Sequence, residues 1–115
     1  MSLQVQEYNI RIVVVTPAQR IDTFNAAEIR GELMKYIEED VKRLVIDLSE
    51  VPFLDSAGMA VLVSTLKRAR SVGGDVKLVW PKVDAAKRVL TLTKFDKVFT
   101  IVETVNDAIQ GLWAY

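Results

Sequence analysis

The chain has 115 residues, 50% of them apolar and 26% charged, which is the size and makeup of one globular domain that needs no disulfide or metal staple. Fifteen Lys plus Arg offset fifteen Asp plus Glu, so no net field draws the chain to nucleic acid or to an anionic membrane. With no Cys and no His, a thiol nucleophile, a Cys/His zinc site, a Ser-His-Asp triad and a phosphohistidine relay are all excluded.

Residues 3–8 largely alternate apolar and polar, the period-two mark of a half-buried strand. Asn9 breaks the pattern and residues 10–16 read as a second strand, so the single separating Asn predicts a tight hairpin. Pro17 ends the ladder because it has no N–H to donate. From residue 25 to 39, Ala26, Ile29, Leu33 and Ile37 recur at steps of three and four, a helix with one core-facing stripe. Thr23 or Asn25 is its candidate cap, with Glu28 placed to complete a capping box on Asn25. The acidic run Glu38-Glu39-Asp40 reads as the solvated helix end rather than a metal cluster, since no loop of oxygen ligands follows.

Residues 44–48 are apolar except for Asp47, as in a strand covered on both faces. A helix is predicted over residues 57–70, closed by Gly73-Gly74. A third buried strand follows at residues 76–80, stopped by Pro81, and then a helix at residues 84–92. Residues 98–102 form a short strand candidate, and Thr104 with Asp107 resembles a capping pair ahead of a last helix at residues 105–113. The predicted order β-β-α-β-α-β-α-β-α implies one α/β domain spanning residues 1–115. Its sheet should be mixed, mostly parallel and of about five strands, with about four helices. No long amphipathic seam is left over once the helices cover the sheet, so a monomer is expected. The absence of Cys agrees with a reducing cytoplasm. No leader pattern opens the chain, and no apolar run nears the ~20 residues of a membrane helix. A cytoplasmic location away from membranes is therefore expected.

The informative stretch runs from Val51 to Leu62, where the strand at residues 44–48 hands over to the next helix. Ser56 at this boundary can act as an N-cap, accepting from an orphan N–H of the first turn. Gly58 costs helix stability, which implies a close backbone approach, either by a partner or by packing inside the domain. Phe53, Leu54 and Met59 bring apolar bulk to the junction, as core or as a docking patch. Asp55 sets a fixed negative charge beside Ser56. The loop residues Asp22, Thr23 and Asn25 should lie near Asp55, because parallel crossovers carry successive strand ends to one edge; helix capping is the alternative for Asp22 and Thr23. An enzyme built on Asp22, Asp47 and Asp55 would need metal ligands or a cationic clamp converging on a substrate, and none is evident. Lys67, Arg68 and Arg70 read as the solvated end of a helix, and Trp80 and Trp113 as packing residues.

Asp55-Ser56-Ala57-Gly58 followed by Met-Ala-Val-Leu resembles the signature of the STAS domain, in particular the stand-alone bacterial anti-sigma factor antagonists. The likeness extends over nearly the whole chain. Arg20-Ile21-Asp22 stands where that family has a Gly-x-Leu-Asp turn, residues 44–49 match its central strand, and residues 90–99 match its late helix–turn–strand segment. The resemblance implies that Ser56 is a phosphoacceptor and that the chain binds an anti-sigma factor with serine-kinase activity. A separate serine phosphatase would reverse the modification. The chain itself would be a substrate and not an enzyme, with no cofactor and no metal. The partner surface implied comprises Asp22, Thr23, Asn25, Phe53, Asp55, Ala57, Gly58 and Met59. The same fold also serves as an unphosphorylated scaffold or transport-accessory domain, which is the alternative.

Overall fold

The computed structural model describes residues 2–41 and 43–113. Four strands, β1 (Ile12–Val15), β2 (Arg43–Asp47), β3 (Asp75–Val79) and β4 (Ile101–Val102), form one sheet in the order β1-β2-β3-β4. All three pairings are parallel, with Val13 opposite Leu44, Val45 opposite Lys77 and Leu78 opposite Ile101. Five helices accompany them: α1 (Ala26–Glu38), α2 (Ser56–Ser71), α3 (Asp84–Leu92), the single turn α4 (Phe95–Val98) and α5 (Val105–Trp113).

Sequential parallel strands with crossovers of one hand place their connecting helices on one side of the sheet. That side holds the larger core, where Leu33 and Ile37 of α1, Leu62 and Leu66 of α2 and Leu90 of α3 meet Leu44, Ile46, Val76 and Leu78 of the strands. The opposite side would lie bare but for α5, whose Ala108 and Leu112 close over Val45 and Val79. The middle strand β2 is therefore covered twice, and Leu44, Val45 and Ile46 are fully buried. Burying a Leu or Ile in this way stabilises the fold by about 1.5–3 kcal/mol per side chain.

Several expectations need correction. The α/β class holds, but residues 3–8 do not join the sheet, so among the described residues it has four strands where about five were expected, and all of its pairings are parallel. The expected hairpin is absent, because residues 3–8 make no bridge to β1. The candidate strand at 98–102 shrinks to two residues. Lys94 takes a left-handed conformation (φ 60°), and the chain coils through α4 so that Phe99 is buried and stacks on Phe95 with ring centroids 5.5 Å apart. That extra turn brings the helices among the described residues to five, against the expected about four. The capping box on Asn25 is absent, because the Asn25 side chain holds the preceding loop instead. Trp113, expected as a packing residue, is 59% exposed.

Other details follow the sequence. Asp47 ends β2 and accepts from the Ser49 N–H at 3.0 Å, and Thr104 Oγ1 accepts from the Asp107 N–H at 3.1 Å. The acidic run is the exposed end of α1, closed by Asp40 at φ 69°.

Candidate functional site

The loops that leave β1 and β2 continue side by side beyond the sheet. Ile21 and Leu54 form an isolated parallel bridge, in which the Ile21 N–H donates to the Phe53 carbonyl (3.1 Å) and the Asp55 N–H donates to the Ile21 carbonyl (3.3 Å). Ile21 and Leu54 are both buried, so they anchor the two loops in the core. Leu54 is thus core, whereas Phe53 is 37% exposed.

Asp55, not Ser56, caps α2. Its Oδ1 accepts from the Gly58 N–H at 2.9 Å, while Oδ2 accepts from the Thr23 N–H at 3.0 Å and from Thr23 Oγ1 at 3.1 Å. One carboxylate therefore ties together two loops separated by 32 residues in sequence. The capping role considered for Ser56 falls to its neighbour because only the Asp55 side chain reaches both the helix and the other loop. Ser56 is left as the first residue of α2, exposed, with its hydroxyl bonded to no other described residue.

Gly58 serves packing inside the domain. A Cβ there would lie 2.3 Å from the Ile21 carbonyl oxygen, so only glycine lets α2 press against the first loop. Ala57 and Met59 are half-buried beside it, and Met59 packs on the larger core.

The first loop brings Thr23 to Asp55 as expected, but uses Asp22 and Asn25 to shape itself. Asp22 is buried; its Oδ1 accepts from the Phe24 N–H at 2.9 Å and its Oδ2 pairs with Arg20 Nε at 2.8 Å. Asn25 Oδ1 accepts from the Asp22 N–H at 2.9 Å, and its Nδ2 donates to the Arg20 carbonyl at 2.6 Å. The Arg20 guanidinium also lies 5.3 Å from the Phe53 ring centroid, a cation–π contact across the two loops.

Two features escaped the sequence reading. Phe24 is 98% exposed next to Thr23. The available signal was that Phe24 falls off the Ala26-Ile29-Leu33-Ile37 stripe and so has no core to enter. The second is an apolar trough beside α2, lined by Ser56, Met59, Ala60, Val63, Thr93 and Phe95, which places Ser56 at its end. Only the tertiary fold sets the α3–α4 turn against α2.

The Gly58 N–H, and after it the Thr23 donors, hold the Asp55 carboxyl below its ordinary value of 3.8, partly opposed by desolvation. A depressed native pKa means that the folded state binds fewer protons than the unfolded chain. The stabilisation is thus complete above the ordinary value and is lost as pH falls through the native one. Asp55→Asn offers a single acceptor oxygen and turns an NH2 toward the Thr23 donors. We expect urea denaturation to show this variant less stable than the parent at neutral pH, with the gap closing below pH about 4.

A parallel α/β sheet backed by helices, with an exposed serine at the start of α2, defines the class of scaffold. Residues 3–108 match the STAS domain family, and the chain belongs to that family. It is 30% identical over 102 residues to the anti-sigma-F factor antagonist RsfB of Mycobacterium tuberculosis, covering 88% of this chain and 81% of that one. It is also 30% identical over 106 residues to the anti-sigma-B factor antagonist of Listeria monocytogenes, covering 92% and 90% respectively. The crystal structure of an anti-sigma factor antagonist from Mycobacterium paratuberculosis superposes with a TM-score of 0.78 at 29% identity, covering 95% of this chain and 91% of that one. The chain is accordingly of the anti-sigma factor antagonist group, whose named members are regulatory binding proteins rather than enzymes.

Proposed function

We propose that the chain binds an anti-sigma factor with serine-kinase activity, acts in the cytoplasm, and releases a sigma factor until phosphorylation of Ser56 ends the contact. A serine phosphatase resets it. The observation that carries this reading is the position of Ser56: exposed, with a hydroxyl free of other described residues, beside the fixed charge of Asp55 and at one end of an apolar trough.

A phosphoserine adds about −1.5 to −2 charges at neutral pH. At a helix start such an anion gains typically 0.3–1 kcal/mol from the dipole. Here Asp55 already occupies the Gly58 donor and repels the newcomer, so the two effects largely cancel within the free protein. Against a docked protein the same charge would be buried without full pairing, which costs several kcal/mol. The modification therefore acts on binding rather than on folding.

The partner surface consists of Thr23, Phe53, Asp55, Ala57 and Met59, to which Phe24 is added, while the buried Asp22 and Gly58, with Asn25, hold that surface in shape. Because Phe24 is almost wholly exposed, Phe24→Ala should leave the melting temperature unchanged while weakening association by about tenfold, readable by calorimetry. Incubation with the cognate kinase and ATP tests the switch itself. One added phosphate mapped to Ser56 supports it; no incorporation would leave an unphosphorylated scaffold.

A further inference from the structure

Ser56, Ala60, Ser64 and Arg68 follow one another at steps of four and so form a single row along α2. The row begins in the apolar trough at Ser56 and leaves it at Ser64, which also lines a second groove, between α2 and α1. Ala60 and Ser64 are short, which keeps the ridge between the two depressions low. From Ser56 to Arg68 the helix rises about 18 Å. A standard protein interface takes about 800 Å² of each partner, a patch roughly 30 Å across, so one footprint holds both depressions.

The second groove is cationic. Arg30 and Lys35 of α1 line it with Arg68 of α2, and Glu38 is the one carboxylate among its described lining residues. None of the three cationic side chains has an ion pair or a hydrogen bond among the described residues. A chain with fifteen charges of each sign thus gathers unpaired positive charge in one place. Gly31, in the interior of α1, lies on the groove floor. Glycine weakens a helix interior, and nothing inside the domain requires it here. A Cβ at Gly31 would meet no atom within 4 Å, in contrast with Gly58. An open groove with a bare floor and a positive rim suits a protein surface that brings carboxylates down against α1.

We infer that the anti-sigma partner covers both depressions, and that the part of it seated between α1 and α2 is acidic. This extension rests on Ser56 as the phosphorylated contact and carries that contact along α2. The trough excludes water around Ser56, while Arg30, Lys35 and Arg68 draw the partner in and fix its orientation along the helix. Arg68 starts about 18 Å from Ser56 along the helix, more than twice the Debye length of ~8 Å at physiological salt. The cations of the groove therefore do not neutralise a phosphate on Ser56, and the modification still breaks its own end of the contact.

The test is titration of the full chain with its cognate anti-sigma factor at about 50 mM and about 300 mM salt. Arg30→Glu and Arg68→Glu should each raise Kd by roughly tenfold at the lower salt and by much less at the higher, where the field is screened. Arg11→Glu makes the same change of charge just before β1, at the end of the sheet away from Ser56, and should leave Kd within about twofold. Gly31→Gln should raise the melting temperature, because Gln is the better helix former, and yet weaken binding by about fivefold or more, because its side chain fills the groove floor. A purely structural role for Gly31 would move stability and binding in the same direction. Ser56→Asp in the same titration checks the contact from which the extension starts. Binding that Ser56→Asp weakens but the two reversals and Gly31→Gln leave unchanged overturns the inference and keeps the role of Ser56. Equal losses in Arg11→Glu and the groove variants also overturn it, as an effect of net charge. Parent-level binding by Ser56→Asp removes the role of Ser56, and the extension with it.

Discussion

Ser56→Asp is expected to weaken binding to the anti-sigma partner by about 2–4 kcal/mol, roughly 30- to 700-fold in Kd, while Ser56→Ala binds close to the parent level. The asymmetry follows from the geometry. The Ser56 hydroxyl supports nothing within the domain, so its removal costs the fold little. A carboxylate in its place stands next to Asp55, whose own charge is held in the ionised form by Gly58 and Thr23. Two adjacent negative groups at the end of an apolar trough cannot both be paired when a protein surface closes over them. Thermal melts of the three proteins should lie within a few degrees of one another. A Ser56→Asp variant that binds normally, or one that unfolds, would remove the electrostatic account of the switch.

Gly58→Ala is expected to destabilise the fold by about 2 kcal/mol, lowering the melting temperature by roughly 8 °C. On helix propensity alone the change should help, by about 1 kcal/mol. The tertiary contact reverses the sign, because the new methyl would sit 2.3 Å from the Ile21 carbonyl oxygen. That oxygen belongs to the main chain and already accepts from the Asp55 N–H, so relief requires the two loops to part. Parting them also draws Thr23 away from Asp55, so partner binding should fall along with stability. Differential scanning calorimetry reads the first effect and titration with the partner reads the second. A Gly58→Ala protein as stable as the parent would mean that the loops separate freely.

The Asp-Ser-x-Gly junction illustrates how far local pattern reaches. A short polar residue before an apolar helical run marks a helix start, and the stretch from Asp55 to Gly58 does mark one. Which of two adjacent capping residues takes the N–H is a finer matter. Asp55 wins because it also meets Thr23, a contact between residues that are distant in the chain. The Asp22-Thr23-Phe24-Asn25 loop shows the same division. Its proximity to the junction followed from parallel topology, but the burial of Asp22 and the full exposure of Phe24 depend on how the loop is laced by Arg20 and Asn25.

By itself the sequence determined the alternation of strands and helices after residue 10, the exclusion of Cys and His chemistry, and the serine on which the functional proposal rests. These are properties of composition, of side-chain period and of a few consecutive residues, and they survive in any arrangement of the elements. Tertiary structure alone decided that Gly58 faces the Ile21 carbonyl, that a trough runs along α2 from Ser56 to Phe95, and that residues 3–8 stay off their own sheet. Each of those depends on which segment lies beside which. Pattern in one segment carries no record of that.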